Sequence, residues 1–438
     1  MRRREFLQGV GGAAGAALLP ATHRPDPPYL PYQPDPPYAI RHARATLDAE
    51  DERFWQLVRA QFQLAPATAY LNTGGLGASP FAVTNVVKAR MDREEEAPAP
   101  GHSEEDWTRI RTKCAALLGP GCSADEIALV STATEGINVI LNGLGLARGD
   151  EVITSTHEHV ALCIPLLQKM KTAGVEVRTF EPDVKRAQGN VDRIAALTTK
   201  RTRLIFISHV TCTTGQVFPV ADIARLAMSK GVLFALDGAQ SLGQFPIDIK
   251  ATGADFYTAS GHKWLLGPKR TGILFVRKDR LAALTPSIVG AYSDQANSLL
   301  DRRLELRPNA QRFEYGTQNA ALVYGLEAAV DFVSTIGLEA IWKHNQALAE
   351  ACLAGLQAIP GVDVLSPVDA AFRSAMLTFR LSGRDNRQVA GALMQRRLRA
   401  RSVTEGGLDA VRVSFHVYND AGEVERLLQE LKKIGELR

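Results

Sequence analysis

Two side chains, Lys263 and Asp237, have the types and settings that covalent amine chemistry requires. Lys263 lies in Ser260-Gly261-His262-Lys263, a compact bend after the β-prone run Phe256–Thr258, and a second apolar run, Ile273–Val276, follows it. A lysine fixed at a strand end and partly withdrawn from water is a nucleophilic amine that can form a Schiff base. For so short a motif, a solvated lysine in a hairpin loop is the ordinary alternative. Upstream, Val232–Leu236 reads as a buried strand that ends in Asp237-Gly238-Ala239-Gln240. A carboxylate at the C-terminal end of such a strand stands where open α/β sheets bind ligands.

The elements that must position these residues follow from hydrophobic periodicity. Ile127–Val130 reads as a strand that passes through Ser131-Thr132-Ala133-Thr134-Glu135-Gly136 into the helical run Ile137–Leu144. The unpaired N–H groups and dipole of a helix start favour an anion such as phosphate, and Thr134 adds a hydroxyl. A plain capping box, Thr132 to Glu135, is the competing explanation. Strands at 151–155, 175–180 and 204–208 alternate with helices at 160–173, 191–200 and 220–230. Helices are also expected at 47–63, 81–96, 318–334 and 338–357. A tract at 286–312, rich in Asp, Arg and Asn, reads as irregular cover for the site. Strands at 362–365, 374–381 and 411–417, with helices at 385–398 and 420–435, read as a small α+β domain. The pattern predicts an α/β protein with a mostly parallel sheet.

Pyridoxal 5′-phosphate (PLP) needs a lysine for its aldehyde and an acid for its pyridinium nitrogen. With that pairing in place, the stretches ATEG, HEH, DGAQ, SGHK, YGTQN and RVSFHVYN resemble the class V aminotransferase family of fold-type I PLP enzymes. That family includes cysteine desulfurases and isopenicillin N epimerase, and the resemblance runs from about Tyr70 to the C-terminus. It implies that Lys263 carries the cofactor, Asp237 holds the ring nitrogen and His159 stacks on the ring. It further implies that Ala133, Thr134, Glu135, Ser260, His262 and Thr317 serve the phosphate end, with Thr317 reaching the neighbouring subunit of a homodimer. Where relatives often place Asn near the phenolic oxygen this chain has Cys212, which leaves Gln240 as the contact there. Asn72, in the Gly-rich stretch 70–77, borders the substrate. Arg412 or its rival Arg401 holds the substrate carboxylate, for which the guanidinium fork is suited. An ion pair with Glu405 or Asp409 is the alternative for either arginine.

The chain has 438 residues, enough for two domains. The division expected is a signal at 1–24, a Pro-rich linker and helix at 25–65, a large domain at 66–312 and a small one at 313–438. A formal charge of +4, mixed along the chain, argues against nucleic acid. Five cysteines without CxxC spacing predict neither a metal site nor a disulfide framework. Arg2-Arg3-Arg4-Glu5-Phe6-Leu7 before the weakly apolar run Val10–Leu19 resembles a twin-arginine export signal, so a periplasmic or exported enzyme is expected.

Aminotransferase or epimerase chemistry at the α-carbon of an amino acid is the leading expectation. A C–S lyase and an exported PLP-fold binding protein are the alternatives. Cysteine desulfurases attack the substrate sulfur with a loop thiolate near the substrate arginine. The corresponding stretch, 399–407, has no cysteine, so no enzyme persulfide is expected.

Overall fold

The computed structural model describes residues 51–98 and 103–436, together with Ile40, Arg41, Ala43, Arg44 and Leu47. The export signal and the Pro-rich stretch lie outside the described residues.

Strands rich in Val, Ile, Leu and Phe with both faces apolar must be covered on both sides, which is the condition for a parallel sheet. Six largely buried strands and one more exposed edge strand, β3, form the central sheet: β1 (Ile127–Val130), β2 (Glu151–Ser155), β3 (Glu176–Phe180), β4 (Thr202–Ser208), β5 (Leu233–Asp237), β6 (Phe256–Ser260) and β7 (Gly272–Val276). Their order is β1-β7-β6-β5-β4-β2-β3. The β2–β3, β2–β4, β4–β5 and β5–β6 pairs are parallel, whereas β7 runs antiparallel to both β6 and β1. Period-two alternation divides the core. Phe234, Leu236, Tyr257 and Ala259 join one apolar layer, and Ala235, Phe256, Leu274 and Val276 the other.

Helices fill the crossovers and face the sheet. Relevant here are α1 (Glu52–Arg59), α2 (Phe81–Glu96), α3 (Glu104–Leu117), α4 (Ala133–Gly143) and α5 (Val160–Ala173). The expected helix at 47–63 contracts to α1, whose start is set by Asp51 accepting from the Arg53 N–H at 2.9 Å. The sequence reading places no element at 103–118, yet α3 buries Trp107, Ile110, Cys114 and Leu117 there. The tract at 286–312 is not wholly irregular. It contains an antiparallel hairpin, β8 (Asp294–Ser298) with β9 (Arg303–Leu306), whose polar, mostly exposed residues carry no apolar alternation to reveal it.

The C-terminal part is a smaller α+β layer. Its antiparallel sheet has the order β10-β11-β13-β12, from β10 (Val362–Val364), β11 (Met376–Leu381), β12 (Arg401–Val403) and β13 (Ala410–Ser414). Leu377, Phe379, Val411 and Val413 turn into a core shared with Cys352, Leu356, Leu427 and Leu431 of the helices Leu338–Gln357 and Ala421–Glu436. The alternate residues, Thr378, Arg412 and Ser414, are therefore presented on the opposite face. β12 has three residues, too few to show a period, and the sequence reading passes over it.

Candidate active site

Lys263 and Asp237 come together because β5 and β6 are parallel neighbours, with Asp237 opposite Thr258 and the lysine bend just beyond the end of β6. His159, Ser208, Val210, Cys212, Ala239 and Gln240 join them around one narrow cavity. Both ionisable groups are buried. Burial pushes the Lys263 amine down and the Asp237 carboxyl up, and their mutual attraction opposes each shift. Asp237 also accepts from the Ala239 N–H at 2.9 Å, which fixes the carboxyl at the strand end. The Gly-rich loop packs directly on the lysine bend. A Cβ on Gly77 would stand 2.0 Å from the Lys263 carbonyl oxygen, and the Gly77 N–H donates to the His262 carbonyl at 2.8 Å. Only glycine allows that approach.

The turn from β1 into α4 is more elaborate than a plain cap. Thr132 caps α4 by accepting from the Glu135 N–H at 3.1 Å. Glu135 turns back to accept from the Ser131 N–H at 2.8 Å and from the Ser131 hydroxyl, so its carboxylate is committed to the turn. Ser260, at the end of β6, accepts from the Ala133 N–H at 2.9 Å and ties β6 to this turn. Close contact between α4 and β6 requires Gly136, where a Cβ would stand 2.0 Å from the Thr258 hydroxyl oxygen. Thr134 is exposed at the mouth. His262 is half-buried, its imidazole pushed down to about 4 by burial and then by Lys263, and its buried Nδ1 lacks a hydrogen-bond partner. Thr317 is exposed and does not line the Lys263 cavity; it borders another, with Ser131, Arg270 and Glu314.

His159, which lines the Lys263 cavity, is the N-cap of α5, its Nδ1 accepting from the Ala161 N–H at 3.1 Å. Burial, Lys263 and Arg401 hold the imidazole down at about 4, so it is neutral and its proton is on Nε2. Gln240 donates to the Gly74 carbonyl at 2.8 Å and accepts from Trp264 Nε1 at 2.8 Å. That bridge leaves the second amide N–H for a ligand. Cys212 is buried, donates weakly to the His157 carbonyl at 3.8 Å, and has its thiol pushed up to about 12, chiefly by burial.

Glu158 is a site residue that the motif reading passes over. It is buried and accepts from the Ser155 hydroxyl at 2.6 Å, the Ser208 N–H at 3.0 Å and the Ser208 hydroxyl. Ser208 pairs with Asp237 across β4 and β5. Burial raises the Glu158 carboxyl to about 7 against these hydrogen bonds. An acid between two histidines at the end of a strand was its one signal in the sequence.

The remaining predicted residues are assembled by β13. Arg412 is fully buried and donates to the Cys212 carbonyl and, at 3.3 Å, to Asn72 Oδ1. Its Nε has no partner. Burial and then Arg401 push the guanidinium down to about 10. Arg401 stands directly opposite Arg412 in the β12–β13 register and is ion-paired with Glu405, the alternative that its sequence setting allowed. A roomier cavity lined by Trp55, Lys343, His344 and Asp420 contains none of these residues.

The donor set fits PLP. A buried lysine faces a buried carboxylate, an unpartnered imidazole nitrogen and a hydroxyl flank a helix start, and a neutral ring closes the cavity. Comparison with known proteins agrees. A profile described as Aminotransferase class-V matches residues 94–427. The chain is 32% identical over 349 residues to a cysteine desulfurase of Serratia proteamaculans, covering 76% of this chain and 83% of that one. Among solved structures, an Escherichia coli cysteine desulfurase in an S-sulfonic acid form superposes with a TM-score of 0.76 at 25% identity, covering 86% and 98% of the two chains. A C-DES mutant with glycine covalently linked to its PLP cofactor superposes with a TM-score of 0.77 at 23% identity, covering 87% and 99%. These named relatives accord with the C–S lyase alternative better than with the aminotransferase or epimerase expectation. With that match spanning most of its length, the chain belongs to the class-V aminotransferase family of PLP enzymes.

Proposed function

We propose that this enzyme is a PLP-dependent C–S lyase acting on a sulfur-containing amino acid without an enzyme thiol. The observation that carries this reading is the pairing of a buried lysine and carboxylate with a substrate arginine whose neighbouring loop holds no cysteine. Bound PLP supplies an aldehyde for amines and a ring that withdraws electrons from the substrate α-carbon. Lys263 would hold the aldehyde, Asp237 the ring nitrogen, and Thr134, Ser260 and His262 the phosphate.

The rest is done by side chains of this chain. Arg412 binds and orients the α-carboxylate through its unpartnered Nε–H, with Asn72 steadying the fork. Lys263, favoured as the free amine by burial, takes the proton from the α-carbon. The sulfur then leaves the β-carbon with its bonding electrons. With a water consumed, an S-alkyl cysteine yields a thiol, pyruvate and ammonium. Cys212 offers no thiolate for sulfur transfer, because it is buried and its thiol titrates far above neutrality.

The test gives the PLP-loaded enzyme L-cysteine, L-cystine and S-methyl-L-cysteine. Pyruvate and ammonium in equal amounts support the proposal. Alanine with sulfane sulfur indicates a desulfurase, a racemised amino acid an epimerase, and amino transfer to an added keto acid an aminotransferase.

Two further proposals rest on sequence. A homodimer is supported by Thr317, which is exposed and stands apart from its own Lys263 cavity, and by the exposed apolar stripe Val160, Ile164 and Leu167 on α5. Sedimentation of the purified enzyme tests it. Twin-arginine export is supported by Arg2-Arg3-Arg4 before an apolar run, and Arg3→Lys with Arg4→Lys should retain the protein in the cytoplasm.

A further inference from the structure

Trp264, the residue after Lys263, is fully buried and does not line the Lys263 cavity, yet it governs a residue that does. Its indole Nε1–H donates to Gln240 Oε1 at 2.8 Å, while Gln240 Nε2 donates to the Gly74 carbonyl at 2.8 Å. An indole nitrogen only donates and a main-chain carbonyl only accepts. The two contacts therefore admit one orientation of the amide. Turned over, Nε2 would face the indole N–H and Oε1 would face the Gly74 oxygen, leaving two buried polar pairs unmade. With its oxygen given to Trp264, Gln240 has a second Nε2–H to offer the cavity that it lines.

The indole is held in turn. Its ring joins a small apolar cluster with Val210, Ala375 and Met376. The Trp264 carbonyl accepts from His416 Nε2 at 2.8 Å, and His416 Nδ1 accepts from Asn345 Nδ2 at 3.2 Å. Burial keeps that imidazole neutral, pushed down to about 3, so Nε2 carries its one proton. Asn345, His416, Trp264, Gln240 and Gly74 thus form one line in which each side chain donates to the next residue. All five are buried.

We propose that Trp264 is a positioning residue for the cofactor: by fixing the Gln240 amide it presents a constant N–H donor to the phenolic oxygen of PLP. The inference rests on the PLP site of the proposed function and not on the fate of the C–S bond. Its consequence is electrostatic. While the imine nitrogen between PLP and Lys263 holds a proton, that proton offsets the phenolate charge. Once it leaves, the oxygen depends more on the donor, so a fixed donor lowers the pH at which the proton is lost. Asp237, Cys212, Arg412, Arg401 and His159 also interact with the Lys263 nitrogen. A mutant cycle that leaves them in place separates Trp264 and Gln240 from them.

The experiment is a pH titration of the yellow band of the PLP-loaded protein, read without substrate, in wild type, Trp264→Phe, Gln240→Leu and the double variant. Trp264→Phe keeps an apolar ring but has no N–H. Its midpoint should rise by about half to one pH unit, the effect of roughly one neutral hydrogen bond. Gln240→Leu should raise the midpoint at least as far, and Trp264→Phe should then add nothing in that background. An unmoved midpoint in either single variant, with PLP bound, overturns this proposal alone. Shifts that add in the double variant also overturn it, because Trp264 then acts independently of Gln240. If Trp264→Phe does not fold, tryptophan is replaced biosynthetically by its benzothiophene analogue, which keeps the ring shape without the N–H. The Gln240→Leu arm then subtracts the effect of the other three tryptophans. Wild-type protein that takes up no PLP refutes the cofactor reading and this proposal with it. The expected shifts without pyruvate formation refute only the lyase.

Discussion

Arg412 donates from Nη1 to the main-chain carbonyl of Cys212, so this buried arginine is anchored by the segment that carries the thiol lining the Lys263 cavity. The same side chain donates to Asn72 in the Gly-rich loop. Three distant stretches of sequence are thereby locked around one guanidinium. A buried cation is costly unless its donors are satisfied, and one buried donor, Nε, has no hydrogen-bond partner.

Arg412→Lys should therefore lower kcat/KM strongly, because a point charge cannot replace a planar fork fixed by two contacts. The loss expected for a buried charged contact is about 2–5 kcal/mol, or roughly one and a half to three and a half orders of magnitude. Steady-state kinetics with the substrate found in the panel checks this. A change under threefold would assign the carboxylate to another residue.

Lys263→Ala should abolish both turnover and the borohydride-reducible attachment of cofactor, with PLP held at most by its phosphate cradle. Intact-protein mass spectrometry after reduction checks this. Because burial lowers the lysine pKa, the wild-type rate should rise with pH through a value below the usual lysine range.

Asp237→Ala should still couple PLP to Lys263 but lose turnover by several orders of magnitude, since the ring nitrogen loses its anionic partner. Near-normal turnover in a variant with full cofactor content would exclude that role.

Cys212→Ser should keep most of the activity, and wild-type enzyme incubated with L-cysteine should carry no persulfide by mass spectrometry. A persulfide formed at a competent rate and lost in Cys212→Ser would overturn the thiol-free reading.

Acid should destabilise the fold between pH 6.5 and about 4, because burial holds five histidines, His159, His209, His262, His344 and His416, down at about 4 or below. Burial holds His209 down at about 4, so the unfolded chain binds a proton in that window that the folded one does not. Its contribution is fully present above 6.5 and is lost as the pH falls toward 4, amounting to about 3 kcal/mol. Buried Glu158 and Glu314, raised to about 7, act in the opposite sense and lose their contribution as the pH rises through 7. Thermal melts from pH 4 to 8 should show a shallower acid limb for His209→Asn than for wild type.

The sequence by itself determined the chemistry-bearing pair and much of the scaffold. The bend at Lys263, the strand ending in Asp237 and the helix start at Thr134 are local features, written in apolar runs, glycines and caps a few residues long. Helices 81–96, 160–173 and 338–357 have the bounds expected from periodicity alone. What the chain could not reveal locally, tertiary structure decided. The different settings of Arg401 and Arg412 depend on a three-residue strand with no readable period. Its register sets the two side by side, and burial then leaves Arg412 with a donor to offer while Glu405 takes up Arg401. Glu158 owes its place beside Asp237 to hydrogen bonds from Ser208, fifty residues away in sequence. Gln240 is committed to Gly74 and Trp264 by the same kind of contact. Partners set by strand order and long-range packing leave no periodic trace in the sequence, because the contact is made in space and neither neighbour along the chain takes part in it.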